Sequence, residues 1–280
     1  MKNILLPTDF SENAWNAIEY ALDYFSDDLC NFFLLHVNRL GDVAVSDSGY
    51  ILTQAEIENT YIKPSKKALR QTLKRILDKY PDRKNHRFYT LTDYNFFVDS
   101  VKKHIESKNI QLIVMGTKGA TGLKKLIVGS NTADVIKKVQ CSTLVVPENA
   151  RYHEIKEVAF PTDFLATFGY RTLDQISQIL EQSLASLRII HVKKKEEELS
   201  SEQKENKELL EEFFHEHPLS FHYLTNSKLE DAIQCFVESR GVDLIVMVAK
   251  HLNYFQQILF HTKVENISYH TDIPFLVLHE

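Results

Sequence analysis

The sequence predicts an α/β protein of two tandem doubly wound domains, each a five-stranded parallel sheet with helices on both faces. Three observations carry this. Short apolar runs and amphipathic segments alternate along the first half, the pattern of a parallel sheet wrapped by helices. The landmarks of that half return in the same order in the second: "LLPTDF" (5–10) as "AFPTDF" (159–164), "ESKNIQLIVMG" (106–116) as "ESRGVDLIVMV" (238–248), and "STLVVP" (142–147) as "PFLVLH" (274–279). A period of half the chain is too long for a solenoid repeat and indicates a duplicated domain. Finally, 280 residues are enough to bury two separate cores.

The elements follow in order. "NILLP" (3–7) is a short apolar run closed by a turn signal, as a buried parallel strand should be. "SENAWNAIEYALDYF" (11–25) places Ala14, Ile18, Ala21, Leu22 and Phe25 at helical spacing behind Ser11, a good N-cap. "CNFFLLHV" (30–37) is the second strand. Residues 55–80 read as a helical segment interrupted early by Pro64. "HRFYTLT" (86–92) is a strand, 94–108 an amphipathic helix, "IQLIVMG" (110–116) a strand, 130–140 a helix and "STLVVP" the closing strand. Pro and polar residues cluster at "PENARYHEI" (147–155), so the domains are expected at 1–148 and 153–280. The second half repeats the strands at 157–161, 186–192, 220–224, 243–248 and 274–279, with a charged, solvated helix within 193–217.

Composition excludes several classes. No apolar run reaches the length of a membrane span, and the amino-terminal segment lacks a signal-peptide core. Cys30, Cys141 and Cys235 are scattered and without CxxC spacing, which suits a reducing compartment, the cytoplasm, and buried small side chains. Net charge is +3 over residues 1–148 and −8 over 149–280. Neither half has the concentrated basic face of a nucleic-acid binder.

Half of the chain's eight glycines fall in "MGTKGATGLKKLIVGSN" (115–131): Gly116, Gly119, Gly122 and Gly129. Glycine lets a phosphate approach main-chain N–H groups, and the helix start after Gly129 offers unpaired donors and a positive dipole end. Ser130, Asn131 and Thr132 add polar groups there, and Lys118, Lys124 and Lys125 add charge nearby. No GxxxxGK[ST] is present, and GxGxxG does not follow the first strand.

The spacing Gly116-x2-Gly119-x9-Gly129-Ser130 resembles the nucleotide-binding motif of the universal stress protein family, as do "ILLPTDFSENAWNAIEYA" (4–21) and the "HV" (36–37) that ends the second strand. The resemblance implies strand order 3-2-1-4-5 and binding of ATP, AMP or a related adenine nucleotide, often with Mg2+ but with no protein metal ligand expected here. It further implies that Asp9 and the main chain at Val37 border the adenine, Gly116 the ribose, and Gly119, Gly129, Ser130, Asn131 and Thr132 the phosphates. In the second half the same positions carry Val248, His251, His261 and Thr262, so that copy is expected not to bind ATP in the usual way. Tyr254, Phe255 and Phe260 suggest a self-packed loop. The sharper reading is that His251 and His261 take another anion or a metal; His215-x-His217 reads as a polar helix end, with a metal pair as the alternative. Through the fifth strands the tandem chain is expected to form an intramolecular pseudo-dimer; further homodimerisation stays open. The function implied is a nucleotide-binding sensor or regulator of the stress response. Two alternatives stand beside it: a nucleotide-independent interaction module and a slow ATPase or phosphotransferase.

Overall fold

A computed structural model of the chain describes residues 1–38, 53–117, 129–165, 168–193, 198–226, 229–249 and 272–279. It comprises two compact units, which divide between Thr143 and Leu144.

The first five strands are β1 (Lys2–Pro7), β2 (Cys30–Asn38), β3 (His86–Tyr94), β4 (Leu112–Gly116) and β5 (Ser142–Val146). Their order across the sheet is β3-β2-β1-β4-β5, as the family resemblance implies, and β1 pairs in parallel with both β2 and β4. Between them lie α1 (Glu12–Tyr24), the helical segment Gln54–Lys79, α4 (Phe97–Lys108) and α5 (Ser130–Lys138). Both sheet faces are covered, so the strands are apolar on both sides rather than alternating. One face contributes Leu5, Phe33, Leu35, Ile113 and Met115 to a cluster with Val101 of α4 and Val135 of α5. Ile4, Leu6, Phe32 and Leu34 alternate with these and are equally buried. Each such side chain contributes roughly 1.5–3 kcal/mol by leaving water.

Pro64 acts where expected, and the structure shows how. The segment 54–79 is α2 (Gln54–Ile57), one π-helical turn (Glu58–Ile62) and α3 (Lys63–Lys79), with Pro64 in the first turn of α3. A proline lacks the N–H for the normal helical bond and its ring crowds the preceding turn; widening that turn removes the conflict.

The second unit repeats the plan with β6 (Glu157–Pro161), α6 (Tyr170–Ser183), β7 (Ser186–Lys193), α7 (Ser201–Phe213), β8 (Leu219–Thr225), α8 (Leu229–Arg240), β9 (Leu244–Val248) and β10 (Phe275–Leu278). The order is again 3-2-1-4-5 in kind, β8-β7-β6-β9-β10, with β6 parallel to β7 and β9. α7 begins with a capping box between Ser200 and Gln203, which accounts for its sharp start inside a charge-rich stretch. Cys30 and Cys141 are buried as expected, whereas Cys235 is exposed on α8; all three are free thiols. The helical phase of α8 buries Ile233, Phe236 and Val237 and turns Cys235 outward.

A polar cluster ties α4 to the end of β3. Asp93 accepts hydrogen bonds from Lys103 at 3.1 Å and from His104 at 2.7 Å. Burial pushes the Asp93 carboxyl up, but the Lys103 bond and the His104 ring outweigh it and hold it below the usual carboxylate range. Because the folded value lies below the unfolded one, the resulting stability is complete above the unfolded value, about 3.9, and is lost as pH falls through the folded value. We expect urea titrations to show this acid-side loss in the wild type and to show it diminished in Asp93→Asn.

Candidate functional site

The carboxyl ends of β1, β2 and β4 lie side by side, where ligands bind in sheets of this kind. β1 leads into the turn "TDFS" (8–11), which is unusually well fixed. Thr8 N–H donates to the Leu35 carbonyl of β2 at 2.8 Å, and the Thr8 hydroxyl accepts from Phe10 N–H at 3.0 Å. His36 Nδ1 donates to the Thr8 carbonyl at 2.8 Å. Phe10 has a positive φ of 65°, a conformation that L residues avoid, and its ring stacks on His36 at 4.4 Å. Such a strained residue persists only where its surroundings over-determine it.

Asp9 follows from the same turn. Its Oδ1 accepts from Ser11 N–H at 3.1 Å and Ser11 Oγ–H at 2.6 Å, while Ser11 Oγ accepts from Ala14 N–H and caps α1. Asp9 is exposed, and Val37 is half-buried one position beyond His36.

Gly116 ends β4 against α1. A Cβ there would sit 2.7–3.0 Å from the side-chain amide of Asn13, so no larger residue fits without a shift. Sequence reasoning assigns this glycine to making room for an anion; the structure adds a second reason, its close approach to α1. Beyond it, Gly129 N–H donates to the Thr117 carbonyl, bringing the start of α5 back to the tip of β4. Thr132 Oγ1 donates to the Gly116 carbonyl at 2.9 Å and is buried, so its hydroxyl is committed to the fold. Gly129 caps α5 without a side-chain hydrogen bond, and the first turn holds no acid. The first intrahelical bond runs from Ala133 N–H to the Gly129 carbonyl at 2.9 Å. The N–H groups of 130–132 precede it and stand at the positive end of the helix dipole. Ser130 is exposed and Asn131 half-buried beside them. Thr117 Oγ1 is buried there and has no hydrogen-bond partner among the described residues.

Asp9, Val37, Gly116, Gly129, Ser130, Asn131 and Thr132 thus all stand at this end of the sheet. Gly119, Gly122, Lys118, Lys124 and Lys125 lie outside the described residues, as do His251, Tyr254, Phe255, Phe260, His261 and Thr262. Three contributors escaped the sequence reading: Asn13, Phe10 and His36. Asn13 and Asn16 are both buried in α1, and polar residues at inward positions of "SENAWNA" were the available signal. His217 of the suggested metal pair hydrogen-bonds Ser177 at 2.9 Å, and His215 bonds the Glu212 carbonyl at 2.7 Å. Among the described residues no group of three or more His, Cys, Asp or Glu could hold a metal ion.

The second copy repeats the turn and closes it. Thr162 N–H bonds the Ile190 carbonyl, Phe164 N–H the Thr162 hydroxyl and His191 Nδ1 the Thr162 carbonyl, each at 2.9–3.0 Å. Phe164 also has a positive φ, 57°, and stacks on His191 at 5.0 Å. Here, however, Gln203 and Asn206 of α7 donate at 2.8 Å to the carbonyls of Asp163 and Phe164. Phe164 is 1% exposed where Phe10 is 37% exposed.

The sequence profile of the universal stress protein family matches residues 1–147. The universal stress protein MJ0577 of Methanocaldococcus jannaschii is 27% identical over 155 residues, covering 52% of this chain and 94% of that protein. MJ0531 of the same organism is also 27% identical, over 145 residues covering 52% of this chain and 81% of that one. A crystal structure of a universal stress protein from Archaeoglobus fulgidus superposes with a TM-score of 0.70 at 18% identity, covering 99% of this chain and 98% of the other, a likeness of fold. Among the described residues no helix is long and apolar enough to cross a membrane.

Proposed function

The chain belongs to the universal stress protein family, and on that premise we propose that its first domain, residues 1–148, binds ATP or a related adenine nucleotide. Bound nucleotide makes the chain a sensor or regulator in the stress response, acting in the cytoplasm, while the second domain, residues 153–280, does not take nucleotide in this way. The observation that carries the reading is the tie between Thr132 Oγ1 and the Gly116 carbonyl, which fixes the start of α5, capped by no side chain, at the tip of β4.

Each residue then has a task that its surroundings support. The N–H groups of Ser130, Asn131 and Thr132 offer donors to phosphate oxygens, helped by the α5 dipole. Gly129, with no side chain, leaves main chain open beside them, and Gly119 is assigned to the same phosphates on its place in the motif alone. Gly116 places the β4 tip by the ribose. Asp9, oriented by Ser11 through Oδ1, borders the adenine edge, as does the main chain at Val37. The nucleotide supplies the anionic oxygens, with Mg2+ accompanying them. In the second copy, the α7 amides on Asp163 and Phe164 and the side chain at Val248 oppose the same use.

Native mass spectrometry of the purified protein, followed by equilibrium dialysis against ATP, tests this. One nucleotide per chain is expected. No binding at about millimolar ATP, an affinity of only about 4 kcal/mol, overturns the binding site. Two per chain overturn the silent second domain.

A further inference from the structure

The two copies of the outer helix have diverged in charge and in what they present. α3 carries seven lysines and arginines against one acid, Asp78, whereas α7 carries five glutamates against two lysines. In the first unit the cations of α3 and the loop after it also seal a seam with α1. Arg75 makes two bonds to Glu12 at 3.0 and 3.1 Å, Lys79 pairs with Glu19 at 2.5 Å and Arg83 with Asp23 at 3.3 Å. When the C-terminal caps of the two helices, Tyr80 and Phe214, are aligned, Arg75 corresponds to Leu209 and Lys79 to Phe213. Across the seam of the second unit the described contacts include no ion pair: Tyr170 packs edge-on against Phe213 at 5.8 Å, and Ser177 bonds His217.

This exchange leaves an unusual surface. Tyr170 is 75% and Leu209 43% exposed. Around Leu209, exposed Glu205, Glu208 and Glu212 share one face of α7, and none has an ion-pair partner among the described residues. Lys204 borders that face, and Lys207 turns away from it to lie over the Phe221 ring at 4.9 Å. On α3 the matching feature has the opposite sign. Lys67, Arg70 and Lys74 form an exposed stripe with Leu77, which is 51% exposed, and none of the three cations has an ion-pair partner among the described residues.

We propose that the acidic, apolar face of α7 docks the basic stripe of α3 from a second copy of this chain. Each face has one exposed leucine within a field of single-sign charge, and the two fields are complementary. Like-charge repulsion prevents either face from pairing with itself, so the interface joins different faces and every chain carries both. Copies therefore associate through such α3–α7 interfaces, and association depends on salt.

Sedimentation equilibrium of the full chain at about 0.1 M and about 1 M salt, where the screening length is about 10 Å and about 3 Å, reads this directly. The wild type is expected to self-associate at the lower salt and to dissociate at the higher. Lys67→Glu with Lys74→Glu is expected to raise the dissociation constant about tenfold, and Glu208→Lys with Glu212→Lys likewise. All these positions are exposed, so the fold is retained. Combining the four substitutions in one chain restores complementarity and is expected to bring the constant back to within about threefold of wild type. A chain that stays monomeric at low salt overturns the proposal. So does an assembly indifferent to both charge reversals, or a fourfold variant no better than either pair.

Discussion

Gly116→Val is expected to weaken ATP binding by at least about a hundredfold, roughly 2.7 kcal/mol. Position 116 touches both walls of the proposed site. On one side the Asn13 amide already occupies the space where a Cβ would stand, at 2.7 Å from Nδ2 and 2.9 Å from Cγ. Asn13 lies in the first turn of α1, so its displacement disturbs the helix start that Ser11 caps and that Asp9 holds. On the other side the Gly116 carbonyl anchors Thr132, and with it the donors at the start of α5. Overpacking of this kind costs about 1–3 kcal/mol in the fold. Each phosphate oxygen left without a well-placed donor adds about 1–3 kcal/mol to the binding deficit. Equilibrium dialysis measures the second effect and thermal melting the first. A companion pair separates them: Gly116→Ala should lower the melting temperature, and adding Asn13→Ala should recover most of that loss by making room. A Gly116→Val protein that binds ATP as the wild type does would remove the β4 tip from the site.

The fold was legible because parallel strands buried on both faces read as apolar runs, and because each was written twice in the same order. Boundaries were less legible where two signals overlap. "DYNFFVDS" (93–100) fits a helical period from residue 94, yet β3 runs through Tyr94, because Asn38 at the end of β2 still pairs with it; α4 starts only at Phe97. The π-helical turn before Pro64 has no composition of its own and is visible only as a consequence of the proline. At the site, the glycines were conspicuous in sequence, but the reason for Gly116 was half hidden. Its neighbour Asn13 lies far away along the chain, and nothing in a linear pattern says that an α1 amide reaches the tip of β4. The closure of the second turn was hidden for the same reason: Gln203 and Asn206 belong to a stretch that reads as a solvated charged helix.

Phe164→Ala is expected to destabilise the second unit by about 3–4 kcal/mol, while Phe10→Ala at the matching position costs about 1 kcal/mol. The two residues are as close to an internal control as a duplicated chain provides. Both follow a Pro-Thr-Asp, both hold a positive φ, both donate their N–H to the threonine hydroxyl, and both stack on the histidine near the end of the neighbouring strand. Alanine keeps the same unfavourable backbone region in each case, so the strain cancels in the comparison. What differs is burial. Phe164 is enclosed by His191 and Phe221 beneath α7, so its removal leaves a cavity that the Gln203 and Asn206 bonds prevent from collapsing. Phe10 already faces water and gives up mainly its stacking on His36. Hydrogen exchange, followed separately in the two units as urea is raised, measures both costs in one experiment, because two domains need not unfold together. Equal costs would mean that the second turn is as open as the first, and the structural case for a closed second copy would fall. Unequal costs in the expected sense would identify the turn's second life: a strained loop whose phenylalanine faces water in one copy has become, in the other, a side chain packed into the core and fastened from above.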